Sequence, residues 1–134
     1  MDCIFCKIVA GEIPAYKVYE DEEVLAFLDI TPVNPGHTLV IPKKHYPNLI
    51  ELPEELACKI LKVIKKITPA ILSGVGAQDF NLGLNNGKEA GQLVDHFHWH
   101  IIPRFEGDGY DVWHGRSYEE GEAQDVLEKI KNNL

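Results

Sequence analysis

The sequence predicts an α+β fold built on an antiparallel sheet, and three observations carry that expectation. Short strand-like runs recur at 17–20, 23–29, 37–42, 79–85 and 96–104. Helical periodicity is confined to one long segment after Pro53 and one segment near the C-terminus. The two patterns do not alternate in the βαβ manner that produces a parallel sheet. A chain of 134 residues suits one core, so residues 1–134 read as a single domain.

The elements follow in order. Residues 3–9, Cys-Ile-Phe-Cys-Lys-Ile-Val, form a compact apolar knot that Gly11 and Pro14 interrupt. Two strands, 17–20 and 23–29, flank the acidic turn Asp21-Glu22. Pro32, Asn34, Pro35 and Gly36 mark a loop, and 37–42 is a buried strand by its Leu-Val-Ile content. Pro53 opens a helix with Glu54 and Glu55 in its first turn, where carboxylates favour the helix dipole. Leu56, Ile60, Val63, Ile64, Ile67 and Ile71 recur at helical spacing and predict one apolar face. Pro69 is expected to bend or end this helix, and Cys58 is expected to be a small buried residue within it. Residues 86–91 read as a polar loop, 107–121 as irregular, and 123–133 as a terminal helix.

Composition narrows the partners. The net charge is -8, and no basic cluster exceeds Lys43-Lys44 or Lys65-Lys66. Such a surface repels a phosphate polymer, so nucleic acid is not the expected partner. No apolar run approaches the length of a bilayer span, and no secretion signal precedes the knot, so a cytoplasmic protein without membrane contact is expected. A small phosphorylated ligand is compatible with the acidic surface if a local pocket supplies donors.

Two constellations carry chemistry. In His96-Phe97-His98-Trp99-His100-Ile101-Ile102 the period of a strand puts three imidazoles on one face and Phe97, Trp99 and Ile101 on the other. Three adjacent imidazoles are costly to desolvate without partners, so the row points to a catalytic or metal-binding face. Cys3-x-x-Cys6 is half of a tetrahedral zinc site. A thioredoxin-like pair has the same spacing but normally sits in a βαβ setting, which is absent.

The pattern His-φ-His-φ-His-φ-φ, with φ apolar, resembles the signature of the histidine-triad family of nucleotide hydrolases and transferases. The resemblance extends to Cys3-Ile-Phe-Cys-Lys-Ile, Phe27-Leu-Asp-Ile, Pro35-Gly-His-Thr-Leu-Val-Ile-Pro-Lys-Lys-His45, and Asn85 through Gly91-Gln92. It covers residues 3–104, is closest to the microbial zinc-containing branch, and leaves 105–134 as a variable tail with a helix. It implies attack on phosphorus by His98 through a covalent nucleotidyl-histidine intermediate, with His100 and His37 donating to phosphoryl oxygens. Gln92 and Asn85 would orient the phosphate. Ile4, Phe5, Ile8, Phe27 and Ile30 would hold the base, and Asp29 would accept from the ribose. Cys3, Cys6, His45 and His96 would bind one structural zinc per chain, and the protein would form a homodimer with the long helix and the strand before it at the interface.

The implied substrates are nucleoside phosphoramidates, with dinucleoside polyphosphates as the rival class. A nucleotide-binding module with little turnover, or a metal-dependent enzyme using the triad as ligands, are the alternatives outside that chemistry. The sequence departs from the family at Leu93, where Ser or Thr is common. Leucine cannot donate to a leaving group, so good leaving groups are expected to be favoured and Leu93→Ser to help poor ones.

Overall fold

The computed structural model describes residues 2–134. Helix α1 (Ile4–Val9) precedes strands β1 (Lys17–Glu20), β2 (Val24–Leu28) and β3 (Thr38–Pro42). Helix α2 (Glu54–Val75), β4 (Asp79–Leu84), a 3₁₀ turn at Lys88–Ala90, β5 (Trp99–Arg104) and helix α3 (Glu122–Lys131) follow. The sheet runs β1-β2-β3-β5-β4 and every neighbouring pair is antiparallel, as the sequence predicts.

The apolar stripe of α2 packs across one sheet face. Leu56, Ile60, Val63, Ile64, Ile67 and Ile71 bury against Val24, Ala26, Val40, Phe97 and Ile101. The helix ends at Gly76, whose φ of 74° is the left-handed conformation that suits glycine at this position. The opposite face of β2 and β3 carries a second cluster, in which Leu25, Phe27, Leu39 and Ile41 meet Cys3, Phe5 and Ile8. Both central strands are therefore apolar on both faces, which explains their unbroken hydrophobic sequence.

Several expectations are corrected. The knot at 3–9 is a helix, with the Cys6 amide donating to the Cys3 sulfur at 3.5 Å across its first turn. Pro69 lies inside α2 without ending it. It is solvent-facing, so the carbonyl it leaves without a donor can be hydrated, while Ile67 and Ile71 hold the helix to the sheet. Cys58 is exposed, because it falls on the side of α2 away from the Leu56–Ile60 stripe. The last strand begins at Trp99, three residues later than expected. The reason is that the Phe97 amide donates to the Tyr46 carbonyl at 2.6 Å instead of joining a ladder.

Among the described residues no helix is long and apolar enough to cross a membrane.

Candidate active site and metal centre

Although His96 and His98 precede β5, the backbone still alternates sides. Phe97 enters the core beneath α2, while the His96 and His98 rings both meet the edge or face of Phe5, at centroid distances of 5.8 and 5.1 Å. His98 and His100 follow one another at 4.9 Å. His37 enters from the loop before β3. Gly36 makes that approach possible: its φ is 90°, and a Cβ there would lie 2.9 Å from Val75.

Hydrogen bonds fix the tautomers. A carbonyl only accepts, so the 2.7 Å contact from His98 Nδ1 to the His96 carbonyl places hydrogen on Nδ1 and leaves Nε2 with its lone pair. The Val33 amide donates to His37 Nδ1 at 3.0 Å. Hydrogen on His37 therefore sits on Nε2, which donates to His100 Nδ1 at 2.9 Å. His100 in turn carries hydrogen on Nε2. This chain of donors argues against the Asp29, His37 and His100 group as a metal centre, although their ligand atoms cluster. A cation at His37 Nε2 would force hydrogen onto Nδ1, against the Val33 amide.

Burial keeps the whole group neutral. It is the largest cause lowering the pKa of His37, His98 and His100, and His100 is brought down to about 4 with further help from its histidine neighbours. A neutral His98 is the nucleophilic form, and neutral His37 and His100 act as hydrogen-bond donors rather than net proton donors.

His98 and His100 open onto a cavity of about 400 Å³. Phe5, Ile8 and Phe27 are buried at its base, while Ile4 and Ile30 stand exposed at its rim. Asp29 and Asn85 line it as well. Asp29 Oδ1 accepts from the Thr31 amide and hydroxyl, and Oδ2 lies 3.7 Å from His37 Nε2. Gln92 does not line this cavity. Its amide nitrogen donates to the Pro47 and Val94 carbonyls and its oxygen accepts from Gly87, so it fastens the loop instead of facing a phosphate. Leu93 is 94% exposed at the rim. Sequence reasoning missed Pro14, Ala15 and Leu39 in the wall, and the Val33 amide that sets the His37 tautomer. Strand alternation offered a signal for Leu39; a backbone donor in a loop leaves none.

The second cluster adjoins the first. His96 Nε2 donates to the Pro42 carbonyl at 2.8 Å, which frees Nδ1. That atom lies 3.4 Å from Cys3 Sγ, 3.6 Å from Cys6 Sγ and 3.1 Å from His45 Nδ1, and Cys6 Sγ lies 3.4 Å from His45 Nδ1. Zinc–sulfur bonds of about 2.3 Å and zinc–nitrogen bonds of about 2.0–2.1 Å set tetrahedral edges of roughly 3.3–3.8 Å. The four donors match zinc in chemistry, three of the separations fall within those edges and the His45–His96 one just below them, and all four residues named from the sequence meet within 4.8 Å of one another.

The HIT domain family model matches residues 10–107. The chain belongs to the HIT domain family. This HIT protein is 51% identical over 104 residues to the adenosine 5'-monophosphoramidase hnt1 of Schizosaccharomyces pombe, covering 78% of this chain and 75% of that one. A crystal structure of a HIT family member from Bacillus subtilis superimposes with a TM-score of 0.89 at 48% identity, over 100% of this chain and 98% of the other. A zinc-bound histidine triad family protein from Mycobacterium smegmatis gives a TM-score of 0.78 at 38% identity, over 100% and 99%.

Proposed function

We propose that this HIT protein hydrolyses a nucleoside monophosphate conjugate of the adenosine phosphoramidate type through a nucleotidyl-His98 intermediate. The observation that carries this reading is the bond from His98 Nδ1 to the His96 carbonyl, which leaves a neutral Nε2 lone pair at the cavity. The relationship to a monophosphoramidase of fission yeast supports the substrate class.

In this mechanism His98 Nε2 bonds to phosphorus as the bond from phosphorus to the leaving group breaks, and the departing amine takes a proton from water. The imidazolium so formed keeps its Nδ1 hydrogen on the His96 carbonyl. Water then attacks phosphorus and gives its proton to the hydroxide left by the first step, the nitrogen–phosphorus bond breaks to return neutral His98, and the monophosphate leaves. His100 Nε2–H, and the Asn85 amide beside it, donate to phosphoryl oxygens, and His37 orients His100. The base occupies the slot of Phe5, Ile8 and Phe27, with Ile4 and Ile30 at its mouth. Asp29 Oδ2 accepts from the ribose.

Cys3, Cys6, His45 and His96 would hold a zinc whose contribution is structural, joining α1 to the segment that carries the nucleophile. We read the protein as a cytoplasmic homodimer. The edge strand β4, with Phe80 and Leu82 exposed, supports pairing of two sheets. The test is intact-protein mass spectrometry without acid quench after mixing with adenosine phosphoramidate. A nucleotidyl adduct on the native protein, absent from His98→Ala, is expected. Unchanged turnover in a folded His98→Ala protein would overturn the mechanism, and binding without turnover would favour a nucleotide-binding module.

A further inference from the structure

The Cys3-x-x-Cys6 pair has a second chemistry besides holding a metal. Cys3 caps α1 in extended backbone, with φ −100° and ψ 123°, and the Cys6 amide donates to its sulfur at 3.5 Å. The two sulfurs lie on one side of the first helical turn, within 4.8 Å of one another. A disulfide of about 2.05 Å can therefore form by movement confined to that turn. The local geometry of a dithiol that closes on itself is present, although the sheet is antiparallel rather than the βαβ setting of thioredoxin-like pairs.

The buried Cys3 is reached from outside. A cavity of about 400 Å³ has Cys3 and His45 among its walls, with Asp2 and Asp95 beside them. Ile4, Leu93 and Val94 stand between it and the nucleotide cavity and line both, so a small oxidant reaches Cys3 without crossing the substrate site. Movement of the first turn has a receiver. Phe5 sits between the two cysteines in the chain, and its ring packs on Phe27 at 5.5 Å, on His96 at 5.8 Å and on His98 at 5.1 Å.

We propose that Cys3 and Cys6 are a peroxide-sensitive modification site, whose closure to a disulfide ejects zinc and shifts Phe5 against His98. The inference rests on the zinc reading above. The Cys3 sulfur attacks one oxygen of the peroxide, the oxygen–oxygen bond breaks, and Cys3 becomes a sulfenic acid as one water leaves. The Cys6 sulfur then attacks the Cys3 sulfur, the sulfur–oxygen bond breaks, the hydroxyl departs as a second water, and the sulfur–sulfur bond forms. The two sulfurs together give up two electrons and the peroxide accepts them. The two protons come from the thiols, or from solvent where zinc has displaced them. His45 and His96 alone are half of a tetrahedral donor set, too few to retain a structural zinc. Reduction by a dithiol reopens the pair, which suits the transient disulfides of a reducing compartment.

The test uses the zinc-loaded full chain as Cys58→Ser, which removes the third and exposed thiol, treated with hydrogen peroxide. Three readouts run together: the mass of the tryptic peptide 1–7, which holds both cysteines, zinc released to a chromogenic chelator, and turnover of adenosine phosphoramidate. The peptide is expected to become about 2 Da lighter, with zinc appearing in step. Turnover should fall about tenfold, and dithiothreitol with zinc should restore all three. Cys6→Ser has no second sulfur and should instead trap a dimedone adduct on Cys3; should that variant fail to fold, the Cys58→Ser protein still decides. Zinc retained after peroxide, or zinc lost while the peptide gains oxygen instead of closing, overturns the proposal and leaves the zinc reading intact. A disulfide with unchanged turnover overturns the link through Phe5. Absence of zinc from the untreated protein would remove the zinc reading and this inference together. Absence of turnover before treatment would count against the hydrolase reading alone, with the mass and zinc readouts still deciding the modification.

Discussion

His96 and His98 are two residues apart and flank the same Phe5 ring, yet they present opposite nitrogens. His96 gives its Nε2 hydrogen to the Pro42 carbonyl and turns Nδ1 toward two cysteines and His45. His98 gives its Nδ1 hydrogen to the His96 carbonyl and keeps Nε2 for the cavity. Under the proposed function, identical side chains would serve as a metal ligand and a nucleophile because of which backbone carbonyl lies beside each ring. One consequence is a shared scaffold: the carbonyl that fixes the His98 tautomer belongs to a residue of the Cys3, Cys6, His45 and His96 group.

Substitutions that break one half of this pair should spare the other. His98→Ala is expected to lower turnover on the order of 10³-fold or more while keeping metal content and melting temperature close to native, measured by single-turnover kinetics, elemental analysis and calorimetry. A comparable loss of metal would mean that the halves are not separable. His100→Ala removes a donor to the phosphoryl group and should cost about 10²-fold in kcat with the His98 adduct still forming slowly. Cys6→Ala works on the other half. Loss of bound zinc should cost about 3 kcal/mol, or roughly 10 °C in Tm, with a smaller loss of activity from the displaced nucleophile segment. Native-like metal content in Cys6→Ala would refute the ligand assignment.

Acid should act through the catalytic half as well. The His100 pKa falls from the ordinary 6.5 to about 4 on folding, through burial and then His98 and His37. Between those values the unfolded chain binds more protons, so stability is full above pH 6.5 and is lost as pH drops toward 4. Urea unfolding at a series of pH values should therefore show a shallower acid loss in His100→Gln than in the native protein; equal slopes would count against a buried neutral His100. The smallest effect is expected at Leu93→Ser. The sequence expectation was a selective gain on poor leaving groups, but the side chain projects into solvent, where a hydroxyl finds water first. Rates on alkyl and acyl conjugates should change by less than about threefold, well short of the 10²–10⁴ of a positioned acid; a selective tenfold gain would restore the earlier expectation.

Much of the architecture was legible in the order of residues. The α2 stripe, the five strands and the apolar backing of the histidine row follow from periods of 3.6 and 2, which local geometry imposes whatever the surroundings. The four sulfur and nitrogen donors were named from motif and resemblance, and the fold brings them together from three separate segments. Other features depended on the assembled fold. Gln92 was expected at a phosphate, but the Pro47 and Val94 carbonyls already use its amide. The exposure of Cys58 and the persistence of α2 through Pro69 depend on which helix face meets the sheet.

The sequence by itself determined the residue types and the alternation that puts histidines opposite Phe97 and Trp99, because side-chain direction in extended backbone is a local property. Only the tertiary structure decided which nitrogen each imidazole offers. That choice is made by the carbonyls of Pro42 and His96 and the amide of Val33, and a backbone group acts wherever the folded chain carries it, whatever side chain it bears.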